Sequence, residues 1–278
     1  MENSMISGSR MYGRKDKVHT WGYCQSCDKY LKQTSYRGRQ WAHINFIPIY
    51  PEGKHMHVIK ECKKCSVGLH IPMTEIPQLI EDIEDDAETA LEVLQNGNET
   101  YIAEEDGEEV TCTCVDTLIG AVEILHCTGH DEAVQELFTA LDKENYRKIY
   151  CAVKGKFLEL QGDIKDAVVL FERAMKNFPK DEQAYYMLAS AFYNLGKLRE
   201  SREIYENLLE ITNDKTNVML MLLEVYNDSK EYVHMTETFE RCFEAHPEFA
   251  KQKKFVKRYK QACKKAGTYP KEALINID

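Results

Sequence analysis

The chain has 278 residues, of which 43% are apolar and 29% charged, the balance of a folded soluble protein rather than a disordered or fibrous one. No window approaches ~20 consecutive apolar residues, so no membrane-spanning helix is expected. The opening "MENSMISGSRMYGRKDK" lacks the apolar run of a secretory signal.

The net charge of −10 is unevenly spread. Residues 1–65 carry 12 Lys/Arg against 5 Asp/Glu, residues 66–145 carry 1 against 21, and residues 146–278 carry 23 against 20. A basic head, an acidic middle and a near-neutral tail predict at least two physical units. Ten cysteines without an export signal point to a reducing, cytoplasmic setting, where close Cys pairs serve metal or redox chemistry.

Residues 1–19 read as a flexible basic N-terminus and 20–72 as a small β unit. Within the latter, Cys24, Cys27, Cys62 and Cys65 form C-x2-C-x34-C-x2-C. Each pair bends a knuckle that aims two sulfurs at one point, and two knuckles complete the all-thiolate tetrahedron that Zn²⁺ favours. The span between them predicts two strands, "WAHINFIPIY" (41–50) and "HMHVIKE" (55–61), with "PEGK" as the turn. So small a unit has little core, and a metal would contribute on the order of 10–16 kcal/mol to its folding.

A redox C-x-x-C would use one pair at a strand-to-helix junction. An iron site of rubredoxin type uses the same four thiolates and stays open beside zinc. Four-thiolate coordination leaves no position for substrate, so the metal is expected to be structural. His43, His55, His57 and His70 read as strand or loop residues. Trp41, then "FIPIYP" (46–51), "GK" and the closing C-x-x-C resemble a bacterial zinc-ribbon family whose aromatic strand leads into an Ile-Pro-x-x-Pro turn. The resemblance covers residues 22–70 and implies a fold and a metal, not an activity.

Residues 73–111 read as an acidic helix and linker. Thr74 is placed to cap a helix starting near Pro77. Ile76, Leu79, Ile80, Ile83, Ala87, Ala90, Leu91 and Leu94 fall on one helical face and carboxylates crowd the other. "NGN" stops the run, and "NETYIAEEDGEEV" (98–110) reads as an acidic loop. Cys112, Cys114, His126, Cys127 and His130 tempt as a second metal site, but "DTLIGAVEIL" (116–125) reads as buried helix between them. Free cysteines are commonly small core residues.

Residues 112–248 repeat with a period of 34. Gly155 aligns with Ala189, Leu158 with Phe192, Gly162 with Gly196, Ala167 with Ser201 and Phe171 with Tyr205. A further step reaches Leu223, Tyr226, Phe239 and Pro247, and a step back reaches Ala121 and Ala133. The pattern resembles the tetratricopeptide repeat, a helix–turn–helix unit, in about four copies. The first and last are degenerate, the last having Lys230 in place of the turn glycine. Residues 249–278 then read as a basic capping helix and tail. The expected fold is mainly α, a tetratricopeptide-type helical-hairpin solenoid with a small N-terminal β zinc ribbon.

The sequence has no Gly-rich phosphate loop, G-x-S-x-G or H-E-x-x-H. A non-enzymatic scaffold or adaptor is therefore expected, with a protein or peptide partner in the repeat groove. In the family, first helices line the concave face. That register places Ala152, Lys156, Glu159, Gln183, Tyr186, Ser190, Tyr193, Leu220, Glu224 and Asn227 there. The face lacks the Lys/Asn/Arg cluster of repeats that clamp a chain-terminal carboxylate, so an internal, partly apolar segment is expected. The alternative is a nucleic-acid-binding or regulatory protein using the basic ribbon, where Arg37, Arg39, Trp41 and Lys54 interleave charge with an aromatic.

Overall fold

The structure, a computed structural model, describes residues 7–27, 29–44, 47–105 and 107–275. It begins with a four-stranded antiparallel sheet in sequential order: β1 (Ser7–Cys24), β2 (Lys29–Ile44), β3 (Ile47–Cys62) and β4 (Leu69–Pro72). β1 starts well inside the segment expected to be flexible. Its residues pair with β2 from Ser7↔Ile44 to Cys24↔Lys29, with irregularities between Tyr12 and Lys15 and between Lys15 and Val18, so the first knuckle is the tip of this hairpin.

The β2–β3 turn falls between the paired Ile44 and Ile47, not at "PEGK". Of the expected strand 41–50, Asn45 and Phe46 lie outside the described residues. "PEGK" instead forms an irregularity within β3, between the pairs Arg39↔His55 and Trp41↔Pro51. Its Gly53 takes a left-handed φ of 73°. Proline lacks a ladder donor and tolerates such bulges, which is why a turn-like sequence survives inside a strand.

Helix α1 (Ile76–Gln95) follows, burying Ile76, Ile80, Ala87, Ala90 and Leu94 as the periodicity predicts. Glu75, not Thr74, is its N-cap and makes no side-chain cap bond; Pro77 lies in the first turn. The expected acidic loop is a hairpin, β5 (Thr100–Glu105) and β6 (Glu108–Thr113), with Gly107 at φ 85° in its turn. The Asp-Gly pair in "EEDGEE" is the hairpin signal behind it.

Helices then run in pairs: α2 (Cys114–Thr128) with α3 (Asp131–Leu141), α4 (Arg147–Gln161) with α5 (Ile164–Asn177), α6 (Glu182–Asn194) with α7 (Leu198–Ile211), and α8 (Lys215–Ser229) with α9 (Tyr232–Ala245). α10 (Lys253–Ala266) and the short α11 (Glu272–Ile275) close the chain. Pro179 and Pro247 stand just beyond α5 and α9, where proline ends helices. Gly129, Gly162 and Lys230 cap α2, α4 and α8 in the left-handed conformation.

Two compact units divide at Leu170 and Phe171, inside α5. The sequence placed the division between ribbon and repeats; in the structure the ribbon belongs to the same unit as α1–α4. The core of that unit runs through Leu118, Ala121, Val122, Leu125, Phe138, Val153 and Phe157. In the other, Tyr205, Leu222, Leu223, Phe239, Phe243 and Tyr259 pack together, with α10 laid on α9.

Candidate metal centre and repeat face

The tip of the β1–β2 hairpin presents Cys24 and Cys27, and the turn between β3 and β4 presents Cys62 and Cys65. Their four Sγ atoms lie within 4.8 Å of one another. Cys24 and Cys65 are 3.5 Å apart, Cys27 and Cys62 3.8 Å. A tetrahedron with metal–sulfur bonds of about 2.3 Å has edges of about 3.8 Å, so the four thiols fit a single ion. Cys24 and Cys62 are buried and the other two half-buried, a closed site.

Backbone N–H groups prepare one sulfur in advance. Donation from the backbone of Cys65, then of Lys64 at 3.4 Å, brings the Cys62 thiol down to about 6. Burial, followed by hydrogen bonds to the neighbouring thiols, pushes Cys27 up to about 12. A cation at the centre would favour the thiolate at every position. Cys112, Cys114, His126, Cys127 and His130 are not brought together. Among the described residues the four cysteines are the only group of three or more His, Cys, Asp or Glu placed so that they could hold a metal ion.

The ribbon is seated on the first two helical pairs through contacts that spacing in the sequence does not announce. Tyr30 Oη donates to the carbonyl of Glu159 at 3.0 Å, and Trp21 stacks on the Tyr30 ring with centroids 6.1 Å apart. His57 Nε2 lies 3.1 Å from the carbonyl of Cys127, and Lys60 Nζ pairs with Glu123. Burial pushes the Tyr30 hydroxyl up and the His57 imidazole down. Both carbonyls sit in the last turns of α2 and α4, at the negative end of the helix dipole, and that of Glu159 also accepts from the Gly162 N–H at 3.0 Å. A basic ribbon suits that surface.

This seat closes part of the expected groove. Glu159 is 3% exposed and pairs with Lys156, and Ala152 is 7% exposed. Ala152 and Glu159 are buried, while Lys156 stays half-buried. Further along, Tyr186 is 40% exposed, its ring edge-on to Tyr205 with centroids 5.9 Å apart. Tyr193 donates to Asp228 at 2.7 Å, and Asn227 donates to the same carboxylate at 3.1 Å. Gln183 and Ser190 are half-buried on α6. Leu220 packs against the core, while Glu224 accepts from Arg258 at 2.6 Å. The basic ribbon side chains are engaged too: Arg37 donates to Asp16 at 2.6 Å and Arg39 to the Gly53 carbonyl at 3.3 Å.

Residues 158–227 match the family model of the tetratricopeptide repeat. A curated relative, the TPR repeat-containing protein MJ1428 of Methanocaldococcus jannaschii, is 30% identical over 119 residues, 41% of this chain. The chain spans only 20% of that protein's length. Among solved structures it is similar to BtubC (BKLC) from P. vanneervenii, with a TM-score of 0.51 and 15% identity. That alignment covers 72% of this chain and 88% of the other. MamA protein aligns at 17% identity over 74% of this chain and 98% of its own, with a TM-score of 0.33. The chain is mainly helical, with tetratricopeptide-type hairpins behind a small antiparallel sheet.

Proposed function

We propose that this protein is a non-enzymatic interaction scaffold. Its α6 and α8 present a face for a peptide or helix of a partner protein, while a structural Zn²⁺ joins the knuckles of the N-terminal ribbon. The observation that carries the reading is Tyr186: a large aromatic left 40% exposed on the first helix of a repeat. Rigid aromatics of this kind dominate interface energetics, losing ~2 kcal/mol or more when truncated. The tetratricopeptide match spans this helix, and repeat arrays offer extended surfaces for such segments.

Zn²⁺ would be held by Cys24, Cys27, Cys62 and Cys65 and would supply cross-linking rather than reactivity, all four positions being taken by thiolates. The ribbon then acts as the N-terminal cap of the repeats, its own residues covering carbonyl ends that would otherwise face solvent.

Selection of a displayed random-peptide library on the full chain, followed by fluorescence anisotropy, tests the face. Tyr186→Ala is expected to weaken the selected peptides about thirtyfold while the melting temperature holds. Equal affinity of wild type and variant would remove α6 from the proposal.

A further inference from the structure

In α10, Lys253, Lys257, Lys260 and Lys264 recur at intervals of four, three and four and are all exposed. That spacing places them in a single stripe along the helix. Three other cations of the same unit are paired: Arg202 with Glu231, Arg258 with Glu224 and Lys271 with Glu240. The four stripe lysines form no ion pair among the described residues. With Ala250 and Val256 they line a shallow groove. The opposite face, with Phe255, Tyr259, Ala262 and Cys263, is buried in the repeats, so it is not free to enter a bilayer. Lysine is a point charge, without arginine's planar fork for either carboxylate or phosphate. The spacing of the four charges therefore sets what fits: anions carried at matching intervals on a regular scaffold.

The chain itself carries such a scaffold. On α1, Glu81, Asp85, Glu88 and Glu92 follow the same intervals of four, three and four. All are exposed and, among the described residues, meet no cation. The series reads the same in both directions, so the match holds for parallel and antiparallel helices. We propose that the α10 groove of one copy docks the carboxylate stripe of α1 from a second copy.

The contact joins two different surfaces, so each copy can give and receive. One helix laid on another falls short of the roughly 1,200 Å² of a stable interface. Surface ion pairs are individually weak and screened by salt. The association is accordingly weak, reversible and lost at high ionic strength.

Sedimentation velocity of the full chain tests it. At about 50 mM NaCl the weight-average sedimentation coefficient should rise with protein concentration, and at about 500 mM it should fall to the monomer value. Lys257→Glu with Lys260→Glu should abolish the rise, as should Asp85→Lys with Glu88→Lys, each retaining wild-type helical circular dichroism. An equimolar mixture of the two double variants should associate again, because each then offers the complement of the other. If a charge-reversed helix loses structure, Lys257→Gln with Lys260→Gln should still reduce association. A monomer at every concentration in low salt would overturn the proposal, as would association that survives Lys257→Glu with Lys260→Glu. Binding to phosphatidylserine-containing vesicles without self-association would also overturn it, assigning the stripe to lipid.

Discussion

The indole of Trp21 lies against Gly162: its Cδ1 and Nε1 stand 2.6 Å from where a side-chain carbon on that glycine would sit. Gly162 also holds φ 92° at the end of α4. The position thus serves the helix turn and the ribbon seat at once. Left-handed backbone costs a non-glycine residue ~1–2 kcal/mol, and the clash adds to it. Gly162→Ala should lose about 2 kcal/mol or more, lowering the melting temperature by roughly 4–8 °C. Its thermal melt by circular dichroism checks this, and an unchanged melt would mean the ribbon is not held there.

Lys230 takes the place of a turn glycine and pays for it with φ 62° and ψ 27°. Glycine relieves that strain but loses ~0.5–1 kcal/mol of chain entropy on folding. Lys230→Gly should therefore stabilise by about 0.5 kcal/mol, read as a higher urea midpoint at unchanged slope.

His57 lies buried between the ribbon and α2, 3.1 Å from the Cys127 carbonyl. Burial is the main cause that holds its pKa below the usual 6.5. The unfolded chain therefore takes up a proton first as pH falls, and stability declines from pH 6.5 downward, being fully present above it. Thiolate protonation also weakens metal binding in acid, so the informative quantity is a difference. His57→Gln should show a shallower loss of urea midpoint below pH 6.5 than wild type. Parallel curves would assign the acid sensitivity to the cysteines alone.

Purified protein should contain about one equivalent of Zn²⁺ per chain by elemental analysis, and Cys27→Ser should lose it. Iron in its place would keep the site and change its metal. A folded ribbon containing neither would end the metal assignment.

Much of this was legible in the sequence because it is periodic. The C-x2-C pairs marked four cysteines whose sulfurs do converge, and the 34-residue period gave the helical pairs through Gly162, Phe171, Tyr205 and Phe239. Tertiary contacts were less legible. Trp21, Tyr30, His57 and Lys60 carry the ribbon seat, yet their partners are helix-end carbonyls and Glu123, 63 to 129 residues away for the bonded pairs. No local pattern marks such a contact. Glu159 illustrates the consequence: helical register placed it on an open face, and the ribbon buries it. "PEGK" misled because its turn residues serve a bulge, and "EEDGEE" because acidic composition masked an Asp-Gly hairpin.

The seating of the ribbon on the repeats makes the strongest demand, and hydrogen exchange measured with and without the metal tests it most directly. Removing the ion should unfold the knuckles and, with them, the cover over the last turns of α2 and α4. Amides of β1–β4, α2 and α4 should then exchange faster, while those of α8, α9 and α10, which form the core of the other unit, keep their protection. Faster exchange confined to the ribbon, with α2 and α4 as protected as before, would contradict the seat and return the ribbon to an independent unit.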